Sequence, residues 1–333
     1  MRGTSLNRWR RHTALALSVV LGLLLVSCDK RALPTGPTPP LPPPPPTVQR
    51  STGPIAFVSN RDGTDRIYLA NEDGSRVTPL VMGSQPAWAR DGRRIAFRGA
   101  GGSDIRVIGV DGSGDRVVAV GGVQPAWSPD GRSLVFVNFR VGDDSELDVV
   151  NVDGSNRRSL YDSDAGSSSP KWSPDGQRIL FSIGSYEDWC FGLWTVNADG
   201  SGARQLGGAA VGRPYAQGND CFSGNVSSLA DGWLPAWSPD GSEIAFVSDN
   251  ARGHSIHVAR ADGSARQLRV PGPAYDPDWT PDGRLIYTKG DLFRFRGPSR
   301  IFISDGGTER QLIPDATAPA RPSYGDSQAV WLR

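Results

Sequence analysis

The 333-residue chain is poor in the side chains that carry most enzyme chemistry. It has three cysteines and three histidines, and no HExxH, CxxC, P-loop or G-x-S-x-G pattern. Only His254 and His257 lie beyond the first 27 residues, three apart across a turn-to-strand junction. Residues three apart on a strand face opposite sides, so this is a poor metal pair and reads as ordinary surface. No basic block with interleaved aromatics is present, which excludes a nucleic-acid face. The longest apolar run, 14–26, is short for a membrane span. No catalytic constellation is visible, and neither cofactor nor metal is expected.

The beginning of the chain is distinctive. Arg2, Arg8, Arg10 and Arg11 stand without an acid, ALALSVVLGLLLV follows, and the run ends in Leu25-Val26-Ser27-Cys28. A basic region, an apolar core and a small residue at the cut define a secretory leader. Cysteine directly after Val-Ser resembles the lipobox of bacterial lipoproteins, which implies cleavage before Cys28 and lipid on it. Without the leader the chain has 32 basic and 35 acidic side chains, net −3. Residues 34–46, PTGPTPPLPPPPP, can form neither helix nor paired strand, because proline fixes φ and lacks the N–H. Polyproline II gives a stiff spacer on the order of 40 Å. The expected organisation is a leader at 1–27, a lipidated terminus and linker at 28–50, and one folded domain at 51–333.

That domain repeats itself. PAWARDGRRIAF (86–97), PAWSPDGRSLVF (125–136), PKWSPDGQRILF (170–181), PAWSPDGSEIAF (235–246) and PDWTPDGRLIY (277–287) are copies of one phrase, and PSYGDSQAVWL (322–332) is a worn sixth. Trp88, Trp127, Trp172, Trp237 and Trp279 are 39, 45, 65 and 42 residues apart. Each copy is followed by an apolar strand ending in Asp-Gly, as in IRVIGVDGS (105–113), and then by a short strand such as RQL (204–206). Period, strand number and turn chemistry together predict a β-propeller of four-stranded units, A to D, with the A strand innermost. In SPDG, proline presets φ, aspartate bonds the turn and glycine takes the left-handed place, so Asp91, Asp130, Asp175, Asp240 and Asp282 read as turn formers. Six units are expected, the last split between the two ends of the domain. Either Ile55–Phe57 or Ala329–Trp331 could pair in the closing unit.

The P-x-W-S-P-D-G-x-x-I-A-F phrase resembles the repeat of TolB-like six-bladed propellers of bacterial envelopes, over about 55–333. TolB itself carries an α/β domain ahead of its propeller, whereas only leader and linker precede residue 51 here. Prolyl oligopeptidase-type enzymes are similar in repeat, but their catalytic triads lie on an additional hydrolase domain. Oligogalacturonate lyases also resemble this fold and use channel histidines with a bound metal. The resemblance implies a non-catalytic binding scaffold, monomeric, facing the periplasm and touching the membrane through its anchor alone. A protein or peptide is its expected partner. A carbohydrate-binding or lyase-like propeller is the alternative.

Candidate site residues follow from the topology. Inner strands begin on the face that carries the B–C and D–A loops. Residues preceding the repeat prolines, Gln85, Gln124, Ser169, Leu234, Asp276 and Arg321, should therefore ring a channel mouth, in the extended conformation a following proline favours. The 65-residue spacing comes from a long D–A loop, 207–234. Tyr186, Trp189, Tyr215, Phe222 and Trp233 would give that face an aromatic flap. Cys190 and Cys221 lie in loops of the same unit and face, in a compartment that permits disulfides, and are expected to pair.

Overall fold

A computed structural model describes residues 55–139, 145–162, 166–185, 190–206, 232–248, 254–290, 299–304, 307–313 and 327–331; a few residues within these strands are described by backbone alone. All regular structure among them is antiparallel β, as the alternation of β-branched and aromatic residues requires. Four sheets have four strands each, and every one follows the expected A-B-C-D order. The third, for example, runs Ser167–Trp172, Arg178–Ser185, Cys190–Asn197, Arg204–Gln205.

The remaining sheet corrects the expected count of six. Ser327–Trp331, Ile55–Ser59, Arg66–Ala70, Thr78–Trp88, Arg94–Gly99, Ile105–Gly109 and Arg116–Ala119 form one seven-stranded sheet, so the structure has five sheets. The physical cause is Thr78–Trp88, which passes the D–A corner without a break. Its first half pairs with Arg66–Ala70 and its second half with Arg94–Gly99. At the other D–A corners that are fully described, 120–121 and 271–273, a glycine-containing turn separates the two strands.

The closing question has a direct answer: both candidate strands are used, against each other. Ile55–Ser59 pairs with Ser327–Trp331 on one edge and Arg66–Ala70 on the other. Trp331 faces Ile55 as Trp88 faces Ile95, and Val330 faces Ala56 as Ala87 faces Ala96. The worn copy is therefore S-Q-A-V-W at 327–331, matching S-Q-P-A-W at 84–88, and Tyr324 is not the tryptophan equivalent.

Apolar side chains pack between successive sheets. Leu180 and Leu193 of one meet Trp237, Ile244 and Phe246 of the next. Ile286, Ile301 and Ile303 of the last sheet meet Ile55, Phe57 and Tyr68 of the first, which closes the ring. Indole N–H groups stitch the inner strands together: Trp127 donates to the Ala87 carbonyl (3.1 Å), Trp237 to Lys171 (3.3 Å) and Trp279 to Ala236 (3.3 Å). The Trp88 and Trp172 indole N–H groups are buried without a partner among the described residues.

The turn carboxylates act as the sequence suggests. Asp130 Oδ1 accepts from Ser128 Oγ (2.6 Å) and Arg132 N (3.0 Å), and Asp240 repeats this with Ser238 (2.6 Å) and Ser242 N (3.0 Å). The histidines do not match the surface reading. His254 is buried, and half-buried His257 stacks on Phe246 and accepts from Arg266 Nε (3.2 Å). The B–C strand pairing turns His257 toward the aromatic of its neighbour.

Candidate functional site

Two cavities lie along the channel formed by the inner strands. The smaller, about 80 Å³, is lined by Gln85, Gln124, Ser169, Leu234 and Asp276 with the prolines that follow them. Five of the six predicted mouth residues are thus brought together. Arg321 lies outside the described residues, and the strand register puts Gln328 where Gln85 stands in its own unit.

Their backbone corrects the extended expectation. Gln85, Gln124, Ser169, Leu234 and Asp276 are left-handed, with φ between 49° and 56°. In each inner strand the ladder register shifts at this residue and its proline, for example between Ser84 and Ala87 and between Tyr275 and Asp278. A bulge absorbs the x-Pro pair and frees its backbone N–H from the ladder. That N–H then crosses to the neighbouring unit: Gln124 N donates to Gln85 Oε1 (2.9 Å), and Ser169 N to Gln124 Oε1 (2.8 Å). A non-glycine residue in this region costs on the order of 1–3 kcal/mol. The inter-unit bonds offset part of that, and proline sterics lose to the bulge.

The larger cavity, about 320 Å³, opens at the opposite end, on the SPDG-turn face. Trp88, Trp127 and Trp172 form its wall, and Pro129, Pro174, Pro239 and Pro281 of the turns form its rim. Arg90 stands at the rim where the first repeat has ARDG in place of SPDG. Around this rim the Asp130, Asp175 and Asp240 carboxyls are held below the usual carboxylate range by serine hydroxyls, Asp240 down to about 2.

Between the cavities is a waist. Strand register makes Ala87, Ala126, Lys171, Ala236, Asp278 and Val330 equivalent. Lys171, Asp278 and Val330 line both cavities. Asp278 is 7 % exposed. Sequence reasoning took this position as a spacer, yet the signal was present: PKW and PDW depart from PAW.

Tyr186, Trp189, Tyr215 and Phe222 lie outside the described residues, as do Cys28 and Cys221. Trp233 and Cys190 are placed by backbone only, in the strands Gly232–Trp237 and Cys190–Asn197. Among the described residues no three metal-ligating side chains converge.

No family model matches the chain, and no curated protein matches it by sequence. Solved structures do. TolB from Acinetobacter baumannii is similar at TM-score 0.66 and 17 % identity, over 84 % of this chain and 66 % of that one. This chain therefore spans just under two thirds of that protein's length. Putative TolB from Agrobacterium tumefaciens is similar at 0.56 and 20 %, over 78 % and 88 %. A chain of the nidogen/laminin complex matches at 0.60 and 12 %, over 83 % and 97 %. An oligogalacturonate lyase in complex with manganese matches at 0.54 and 16 %, over 78 % and 73 %. The fold is thus an all-β propeller of the kind seen in TolB.

Proposed function

We propose that the protein is a non-catalytic, lipid-anchored scaffold of the bacterial cell envelope, holding a protein or peptide segment at the mouth of its channel. One observation carries this reading: a cavity of about 320 Å³ walled by three tryptophans and rimmed by four prolines, with a single lysine and aspartate at its floor. Aromatic walls give large contact area at low entropic cost, and a few placed polar groups set orientation. The leader, Cys28 and the proline stalk support an anchored, periplasm-facing position. TolB and a nidogen/laminin complex among the similar folds support binding as the propeller's task. The mouth named here is the SPDG-turn face, because the more roomy cavity opens there.

The test is capture from solubilised envelope. The wild-type protein should retain a partner that Trp172→Ala loses while the variant stays folded at the assay temperature, melting lower because part of the indole packs on the core. Retention of every partner by Trp172→Ala sinks the placement of the site. Manganese-dependent cleavage of oligogalacturonate by the purified protein would instead establish the lyase-like alternative, which the similarity to that enzyme's fold brings into play.

A further inference from the structure

We propose that the mouth of the larger cavity selects an extended segment of a partner protein with a carboxylate on one side of an apolar anchor and a cation on the other. The carboxylate lies over the first A–B turn and the cation over the fourth. This rests on the binding reading above and deepens it.

The A–B turns around the mouth follow one charge rule, with two exceptions. In 128–133, 173–178 and 280–284 the turn aspartate is matched by an arginine of its own turn, Arg132, Arg178 and Arg284, so each turn is neutral. The first turn, 89–94, holds Arg90, Arg93 and Arg94 against Asp91 alone, net +2. Arg94 takes up Asp91 (2.7 Å), so Arg90 and Arg93 are the surplus, and both are exposed. The fourth turn, 238–243, holds Asp240 and Glu243 with no base, net −2. Hydrogen bonds from Ser238 and Ser242 keep Asp240 ionised. The two departures cancel, so neither shows in the net charge of the chain.

Their placement makes them a pair. Each inner strand touches the next, and Ser327–Trp331 touches Thr78–Trp88, which closes a ring of six. The first and fourth A–B turns are three places apart in that ring by either route, on opposite sides of the mouth. Arg90 and Pro239 line the cavity from those two sides, and indole and proline fill the walls between them. Low-dielectric walls let two such poles act across an opening.

Turn geometry calls for neither pole. Proline stands in the place of Arg90 in the four other turns, and arginine or serine in the place of Glu243. A segment flanked by two like charges meets one pole and is repelled by the other, whereas opposite flanks satisfy both. The cavity of about 320 Å³ seats the anchor, and only about 80 Å³ lies beyond the waist, so the segment crosses the mouth rather than threading the channel.

The test is selection of random nonapeptides displayed on phage against the detergent-solubilised protein. It runs in parallel on the wild type, the double variant Arg90→Pro/Arg93→Gln, and Glu243→Arg. These substitutions install what Pro129, Gln177 and Arg178 already supply in sibling turns, so all three proteins should fold alike. The wild type should enrich peptides with an acid and a base on opposite sides of an apolar residue. The double variant should lose the preference for the acid and keep that for the base, and Glu243→Arg should do the reverse. In a synthesised wild-type selectant, alanine in place of the acid should weaken binding to the wild type about five- to tenfold at low salt, and binding to the double variant not at all. That difference should shrink in about 0.5 M salt. No enrichment, peptides without charge preference, or the same preference on all three proteins overturns the proposal. If Trp172→Ala still loses envelope partners in those cases, the scaffold reading stands and only the charge selection falls. If Trp172→Ala keeps every partner, the scaffold reading falls with it.

Discussion

Ring closure makes a sharp prediction at three glycines of the C–D turns. Gly74 is left-handed (φ 82°), its N–H closes the turn onto the Asn71 carbonyl (2.9 Å), and a methyl built on it falls 1.7 Å from the Leu312 carbonyl oxygen of the last sheet. Gly200 repeats the approach against Leu160 O at 2.7 Å, and Gly154 against Val118 O at 3.3 Å. Gly63 is equally left-handed (φ 88°) but has nothing within 4 Å of its added methyl. Alanine at Gly63 therefore reports backbone strain alone, about 1–2 kcal/mol. Alanine at Gly74 adds the displacement of backbone across the seam between last and first sheets. Overpacking of that kind costs about 1–3 kcal/mol more, for a total of about 2–5 kcal/mol. At about 2–3 °C per kcal/mol for a domain of this size, the Gly74 variant should melt about 4–15 °C lower and the Gly63 variant about 2–6 °C lower. The four variants should rank Gly74, Gly200, Gly154, Gly63 in decreasing loss, measured by calorimetry on the exported protein. Four equal losses, or the reverse order, would show that the sheets do not seat on one another through these turns.

The turn aspartates make stability acid-sensitive. Asp130, Asp175, Asp240 and their counterparts have folded values below the unfolded one, so they stabilise fully above about pH 4 and lose that contribution as pH falls toward 2. The melting temperature should be flat from pH 7 to 5 and fall below 4, and Ser238→Ala should make that fall smaller, because Asp240 then titrates closer to its unfolded value; a flat profile to pH 2 refutes this. Cys28→Ser should leave the fold melting unchanged and shift the protein from the membrane to the soluble fraction; a mutant that still sediments after salt washing refutes the lipid anchor. Cys190 and Cys221 should resist thiol labelling in exported protein, their bridge contributing about 3–4 kcal/mol in the chain-entropy model; two titratable thiols refute the pair. Manganese should not raise the melting temperature, and a rise of several degrees would favour the lyase-like alternative.

The architecture was legible because each unit states its own geometry. Trp, SPDG and the IAF strand fix one register, which recurs as Trp88↔Ile95, Trp127↔Leu134 and Trp237↔Ile244. What failed to show were features that depend on a neighbouring unit. The residue before proline was expected to be extended from local sterics alone. It is left-handed at a bulge in all five described inner strands that carry the x-Pro pair, and in two of them its N–H finds the glutamine of the preceding unit, as Ser169 finds Gln124. The merger of two units through Thr78–Trp88 likewise depends on what pairs with each half of a strand, not on the strand.

The closing strand shows the limit from the other side. Matching Pro322 and Tyr324 to the repeat kept the identities of proline and an aromatic but slipped the register by seven residues. A slip of an odd number of residues turns every side chain to the opposite face. Pairing with Ile55–Ser59 restores it, bringing Val330 to the waist and Trp331 opposite Ile55. In a repeat protein the shared residues build the disc and say little about its ligand. Individuality sits where a unit departs from its siblings at a position that lines the channel. Lys171 and Asp278 are such departures, and they were readable as PKW and PDW once the register showed which way that position points.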